Sequence, residues 1–366
     1  MKRIVCIVLT LIIVLAVTAG AAAQSNVNRT ALTVEEAQKL AKANSRQTII
    51  DDLDIKAKEI ALEQAKVDAR LAGYRYGSEN ITANRIKMDV NVFESEVRLE
   101  EAKRAKEDNT KRLKLDVNSS FLNILLTQME LEIETKKLEF AKERLEMAQA
   151  RYAAKMIRQD ELDSAKYNVD SKANVVKGVQ SRLQTLDMEL KSQLNVPLGG
   201  DMLTVKGVIE QDSFPELNID AVVAINADLD ASVFSAEKKY EAAQKTMELT
   251  EKLLRTGSPY YESNKISLEA AFRDYETAVR NREVNIRNAY NDLMNSWDSV
   301  ALATRHEEIL RRKVGNEKIK LDKGQITRDA YLSSQEQYLD ALFGKYKSIV
   351  DFNTNRGDFL NRINKD

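Results

Sequence analysis

Arg151-Tyr-Ala-Ala-Lys-Met-Ile-Arg-Gln-Asp160 returns 169 residues later, from 151 to 320, as Lys320-Leu-Asp-Lys-Gly-Gln-Ile-Thr-Arg-Asp329, with Ile157 over Ile326 and Asp160 over Asp329. Carried outward at the same offset, Phe121–Leu190 falls on Tyr290–Phe359. Leu131, Leu138, Leu145 and Tyr152 are spaced by seven, and they land on Val300, Glu307, Val314 and Leu321, so one position of the four has turned polar. A period this long lies outside the solenoid range of about 20–50 residues and reads as two copies of one large unit. Identities are few, so the duplication is old. Taken singly, Arg151–Asp160 holds no helix breaker and would pass for uninterrupted helix. Its partner holds Gly324, a good residue just past a helix end, and Thr327, a good cap. The repeat is what places a hairpin tip at both.

Composition supports long helices. Of 366 residues, 31% are charged and only 6% aromatic, and Ala, Glu, Lys, Leu and Arg dominate, the profile of coiled coil. Proline occurs only at Pro197, Pro215 and Pro259, and neither Gly nor Pro interrupts Ser78–Lys177. At about 1.5 Å per residue such a run makes rods of roughly 70–110 Å when folded into a hairpin. An elongated protein is expected.

Residues 1–23 form a separate segment. Lys2-Arg3 precedes an apolar run from Ile4 to Val17, and Thr18-Ala-Gly-Ala-Ala-Ala23 supplies the small residues of a secretory signal, with cleavage before Gln24. The alternative is an uncleaved anchor, because Ile4–Ala23 is just long enough to span a bilayer. Cleavage removes Cys6, leaving an exported chain without disulfides. It also takes the formal net charge from −1 to −3 by removing Lys2 and Arg3, which offers nothing to a polyanion.

The first helix opens at Thr33, with Glu36 three positions on as a capping box, and is expected to run to about Leu71. Gly73–Ser78 closes it, and helix resumes near Asn80. The second unit opens at Leu217-Asn-Ile-Asp-Ala221, runs to Leu254, breaks at Thr256-Gly-Ser-Pro259 and resumes near Lys265. Asn195–Pro215 links the units and contains a short β-like piece, Met202–Ile209. The domain division is therefore a signal at 1–23, a first hairpin repeat at 24–200, a linker at 201–216 and a second repeat at 217–366. The fold class is all-α, with long antiparallel coiled-coil hairpins in two duplicated repeats and little or no β-structure.

Catalytic chemistry is missing from the pattern. His306 is the only histidine, and Leu310 stands where a zinc-protease motif needs its second. Asp51, Asp52 and Asp54 lack the Gly-bearing turn and spaced Glu of a cation loop, so they read as a charged helical face. No catalytic, cofactor-binding or metal residue is assigned, and no cofactor and no enzymatic activity are expected. Phe121, Phe140, Tyr290 and Trp297 occupy core-like positions, and balanced charge argues against a nucleic-acid partner.

The leader, the opening Leu32-Thr-Val-Glu-Glu-Ala37, the hairpin in each unit and the two tips together resemble the outer membrane efflux protein (TolC) family, over about Leu32–Leu360. The resemblance implies a trimer whose hairpins build a hollow cylinder. It further implies tips that meet a membrane-fusion adaptor and an inner-membrane pump, and a place in the cell envelope, periplasmic or outer-membrane. Carried over by position, the tip contacts are Arg151, Met156 and Asp160 in the first hairpin, and Lys320, Gly324, Gln325 and Asp329 in the second. Lys155 stands where the family has Gly, and Lys320 is Lys instead of Arg. Exposed charge there either steers a partner or solvates a turn. In the family, strands inserted between the outer helices form a membrane barrel. Here Gly73–Asp89 and Thr256–Lys265 are too short for a pair of spanning strands of about 9–11 residues each. A passive efflux or secretion conduit without a barrel is the leading reading, and a coiled-coil envelope scaffold without a lumen is the alternative.

Overall fold

The computed structural model describes residues 31–71, 79–225 and 230–363. The leader at 1–23 and the turn at Gly73–Ser78 lie outside them. Of the described residues 85% are helical and none forms a strand. The helices are α1 (Val34–Asn44), α2 (Arg46–Leu71), α3 (Glu79–Ala153), α4 (Gln159–Gln193), α5 (Ile219–Ala224), α6 (Ala231–Leu253), α7 (Pro259–Asp322) and α8 (Arg328–Arg362). The expected all-α hairpin architecture is present: α3 with α4 and α7 with α8 are the two hairpins. Two compact units draw on both repeats. Of the described residues, the first takes in 31–44, Leu113–Phe214 and Met294–Arg356, and the second those within 45–112, 215–293 and 357–363.

The repeat register holds in the core of each hairpin. Val117, Phe121 and Ile124 are buried, and so at the same offset are Ile286 and Leu293, with Tyr290 packing its ring 5.8 Å from Phe359. Leu183 and Leu190 likewise correspond to Phe352 and Phe359, all four buried. The repeated pattern thus marks the stripe that each long helix must bury against its return helix.

Several boundaries differ from expectation, each for a local reason. Helix does not run unbroken from Thr33 to Leu71. The expected capping box forms, with Thr33 N–H donating to Glu36 (2.9 Å) and Glu36 N–H to Thr33 (3.3 Å), but Ser45 interrupts and accepts from Thr48 N–H (3.2 Å) to start α2. The stretch expected as one helix from Leu217 to Leu254 is two. Asn218 caps α5, accepting from Asp220 and Ala221, and Asp230 caps α6, accepting from Ser232 and Val233. Such short polar side chains satisfy new N–H groups better than they continue an old helix. Helix α7 starts at Pro259, six residues before Lys265, because a proline in the first position gives up an N–H that has no helical partner anyway.

The β-like piece makes a single parallel bridge, Leu32 to Val205, with Leu32 N–H donating to Thr204 (2.7 Å) and Lys206 N–H to Leu32 (3.0 Å). A buried ion pair on α4 holds it there. Lys191 Nζ lies 2.7 Å from Asp187 and donates to the Asp201 carbonyl at 2.8 Å, while the other Asp187 oxygen accepts from Leu203 N–H at 2.7 Å. Gly207 completes the fit, since a Cβ there would come within 3.1 Å of Leu125 and 3.2 Å of Phe121. The core of this unit joins Leu32, Ala37 and Ala41 to Phe121, Leu190, Leu194 and Val205.

In the second unit the three aspartates considered as a cation site point to separate partners. Asp51 is buried and accepts from Gln47 (2.8 Å) and Asn109 (3.1 Å), Asp52 binds Lys106 (2.6 Å), and Asp54 lies 3.6 Å from Lys58. Ile86, Val90 and Ala242 form its apolar centre, and the Arg104 guanidinium stacks 3.7 Å above the Phe234 ring. Residues 72–78 separate α2 from α3, and 254–258 separate α6 from α7. The described interval 254–258 does not have the length for a pair of membrane-spanning strands of about 9–11 residues each.

The Asp187→Ala variant leaves Lys191 buried without its carboxylate and strands the Leu203 N–H. It should lose about 3 kcal/mol in urea unfolding followed by circular dichroism, and protease should cut first within 201–206.

Candidate functional site at the paired hairpin tips

Both long helices end in the same hydrogen-bonded reversal. In the first tip Lys155 N–H donates to the Tyr152 carbonyl (2.8 Å) and Met156 N–H to that of Arg151 (2.8 Å). In the second, Gly324 N–H donates to Leu321 (2.9 Å) and Gln325 N–H to Lys320 (2.8 Å). This is the Schellman closure, and it requires a left-handed residue just past the helix. Lys155 adopts it at φ 58° and Gly324 at φ 69°. Lys155 thus fills a glycine position, at a conformational cost of about 1 kcal/mol.

The return helices start with divided halves of one capping box. Arg158 N–H donates back to Glu161 at 3.4 Å in the first tip, whereas in the second the Thr327 hydroxyl accepts from Ala330 N–H at 3.2 Å. These are equivalent positions used in opposite directions. Ile157 and Ile326, at the residue before each cap, are half-buried, and Leu162 and Tyr331 five positions on are buried, the spacing of a hydrophobic staple.

All seven proposed contact residues are exposed and gathered at these two turns. Five have a turn-building reason to be what they are. Arg151 and Lys320 place positive charge at helix C-termini, Asp160 and Asp329 place negative charge in the first turn of the return helices, and Gly324 supplies the left-handed backbone. Met156, 74% exposed, and Gln325 contribute only backbone N–H groups to the turns, leaving their side chains for other work.

The two hairpins are joined through α3 and α8 by a charged ladder that sequence reasoning missed. Arg144 donates to Asp329 (2.6 Å), Glu336 (2.8 Å) and Ser333 (3.0 Å). Arg328 holds Glu143 with two bonds, of 2.5 and 3.0 Å. Further from the tips, buried Lys137 bonds Glu134 (2.6 Å) and Asp340. Burial works against the charge on Lys137 and Arg144, yet their carboxylate bonds outweigh it and raise both pKa values. The Arg328 bonds hold the Glu143 carboxyl below its ordinary value. No motif announces this ladder, because its partners stand 185–203 positions apart. His306 lies beside Asp340, Gln337 and Gly344 in an open groove between α7 and α8. Among the described residues no cluster of His, Cys, Asp and Glu is arranged to hold a metal ion, and no helix is long and apolar enough to cross a membrane.

No protein-family model and no curated protein matches this sequence. Solved structures do. The chain is similar to the CmeC outer membrane channel of Campylobacter jejuni at 12% identity and a TM-score of 0.62, over 92% of this chain and 89% of that one. It is similar to the outer membrane protein VceC of Vibrio cholerae at 11% identity and 0.62, over 91% and 96%. It is also similar to the open state of the MtrE outer membrane channel of Neisseria gonorrhoeae at 12% identity and 0.64, over 91% and 89%. At these identities what is shared is the fold, and it is the helical-hairpin fold of outer membrane efflux channels.

Two outcomes test this geometry. Gly324→Ala meets no neighbour within 4 Å, so its cost is conformational alone, about 1 kcal/mol in a urea melt, while Lys155→Gly should raise stability by a smaller amount. The ladder should also set a pH window. Lys137, with its pKa raised, contributes fully below its ordinary 10.5 and loses its contribution as pH climbs through the raised value; Glu143, with its pKa lowered, contributes above 4.5 and loses as pH falls through the lowered value. Unfolding of Lys137→Met compared with the unaltered chain should show a stability difference that is present at neutral pH and shrinks as pH climbs through the raised Lys137 value.

Proposed function

We propose that the chain is an exported, TolC-like conduit component of a cell-envelope efflux or secretion system. The observation that carries this reading is the pair of matching tips on a fold shared with outer membrane channels. In the proposal, residues 1–23 are a cleaved leader, the mature chain works in the envelope, and copies assemble as a trimer whose hairpins line a path. The protein is a passive element and not an enzyme: an inner-membrane pump supplies energy, and a membrane-fusion adaptor meets the tips. Arg151, Met156, Asp160, Lys320, Gly324, Gln325 and Asp329 mark the surface offered to that adaptor. Within it, Met156 and Gln325 are the side chains to read the partner, since the others already serve turn geometry or, for Asp329, the bond to Arg144.

A second reading keeps the assembly but not the lumen. The five-residue interval at 254–258 favours it, because it leaves no room there for a pair of strands through which such a conduit would open across a membrane. An envelope scaffold would use the same tips to hold its partner.

Light scattering of the purified chain, with negative-stain images of the same fraction, separates the two. Hollow rings of three copies support the conduit, and solid rods of one or two chains overturn it. For the tips, Met156→Asp combined with Gln325→Ala should cut export severalfold with helix content unchanged. Unimpaired export in that variant would remove the docking role.

A further inference from the structure

In the second compact unit α6 lies antiparallel against α3. The Arg104 guanidinium is 3.7 Å from the Phe234 ring, and the Lys245 ammonium is 4.6 Å from the Phe93 ring. Beside these contacts α3, α6 and the start of α7 border an open groove of about 440 Å³. Its floor is apolar and low, because α6 contributes Ala242 and Ala243 where larger side chains would fill it, with Val97 opposite. At the α7 end the polar groups are already engaged: the Thr246 hydroxyl donates to the Ala242 carbonyl and the Asn264 amide to the Thr250 hydroxyl, both at 2.8 Å.

Ionisable side chains line both walls, and most of them are neutralised. Glu94 and Arg98 pair at 2.9 Å, and Lys238 is held by Glu241 at 2.5 Å. Half-buried Glu101 on α3 and exposed Lys239 on α6 are left over, since among the described residues neither has a hydrogen-bond or ion-pair partner. The antiparallel register sets them at one level. Glu101 stands three positions before Arg104, and Lys239 five positions after Phe234, so they face each other across the groove within about one helical turn. A half-buried carboxylate without a partner loses hydration that no protein group replaces, and a cation across an open gap does not restore it.

The geometry points to a binding site for a free α-amino acid with an apolar side chain. The ligand's ammonium donates to Glu101, its carboxylate accepts from Lys239, and its side chain lies along Val97, Ala242 and Ala243. One unpaired acid facing one unpaired base selects a zwitterion. An organic cation of the same shape meets Lys239, an organic anion meets Glu101, and each leaves one charge of the site unanswered. The groove has the volume of a small-molecule pocket, within the range of about 300–1,000 Å³. It lies wholly inside one unit of a single chain, so the site stands whether or not copies enclose a lumen.

Calorimetric titration of the full chain with L-phenylalanine, phenethylamine and hydrocinnamate tests this, because each analogue keeps the ring and only one of the two charges. L-phenylalanine should bind with a millimolar or lower dissociation constant, and each analogue at least about fivefold more weakly. Glu101→Gln should weaken L-phenylalanine by a similar factor and leave hydrocinnamate no weaker, whereas Lys239→Gln should weaken L-phenylalanine and leave phenethylamine no weaker. Neither residue holds another in place, so circular dichroism of both variants should match the unaltered chain. Ala243→Trp, which fills the floor, should abolish binding with helix content unchanged. No heat of binding at millimolar L-phenylalanine overturns the site, as do analogues that bind as tightly as the amino acid. Full affinity retained in both glutamine variants, or in Ala243→Trp, places any binding elsewhere and overturns it too.

Discussion

One left-handed residue after each long helix is the constraint on which the arrangement depends. A lone amphipathic helix of 64 or 75 residues has nothing against which to bury its apolar stripe. The Schellman reversal at Lys155 and Gly324 brings the chain back within a few residues, and the phase of the return helix follows from it. From that phase follow the pairing of Phe121 with the Leu183–Leu190 stripe and of Trp297 with Phe352, at 5.1 Å between ring centroids. The turn is also why five of the seven tip residues are what they are, independent of any partner.

Identical backbone reversals carry different side chains in the two repeats. Arg144 and Lys137 on α3 are satisfied by carboxylates on α8, in a ladder half-shielded from water where such bonds count for more than at an open surface. Of their counterparts on α7, Lys313 donates to the Gln337 amide of α8 at 2.9 Å and His306 lies beside Asp340. At equivalent positions the two repeats thus carry different side chains, a carboxylate-bonded arginine and lysine on α3 and an amide-bonded lysine and a histidine on α7. Glu307 marks a further difference inside the second hairpin, where a seam position that is Leu138 in the first holds a buried carboxylate within 3.6 Å of Lys345 and 4.0 Å of Arg311.

The linker has its own logic. Residues 201–206 are tied to α4 by Asp187 and Lys191, and residues 210–213 to α8 by Asn353, which donates to Glu210 (2.7 Å), and Arg356, which donates to Ser213 (2.9 Å). Each return helix thus fastens the stretch of linker beside it with side chains near its own end. The bonding is polar because the linker backbone, paired with another strand-like segment only at the Leu32–Val205 bridge among the described residues, must find acceptors and donors for its other groups.

By itself the sequence determined the helices, the duplication and its 169-residue register, and the place of both tips, since periodicity, capping residues and breakers are local and survive old divergence. Of the four aromatics it placed at core-like positions, Phe121 is buried, while Phe140, Tyr290 and Trp297 are half-buried, the last two packing against Phe359 and Phe352. Tertiary structure alone decided that Ser45 and Asp230 restart helices, that Met202–Ile209 is a docked segment and not a strand, and that Asp51 turns inward to Asn109. It alone decided which charges pair across hairpins. Arg144 with Asp329 and Lys137 with Asp340 look like any solvated residues of a coiled coil, because a helix sequence states which face is apolar but not which neighbouring helix will come to lie against its polar flank.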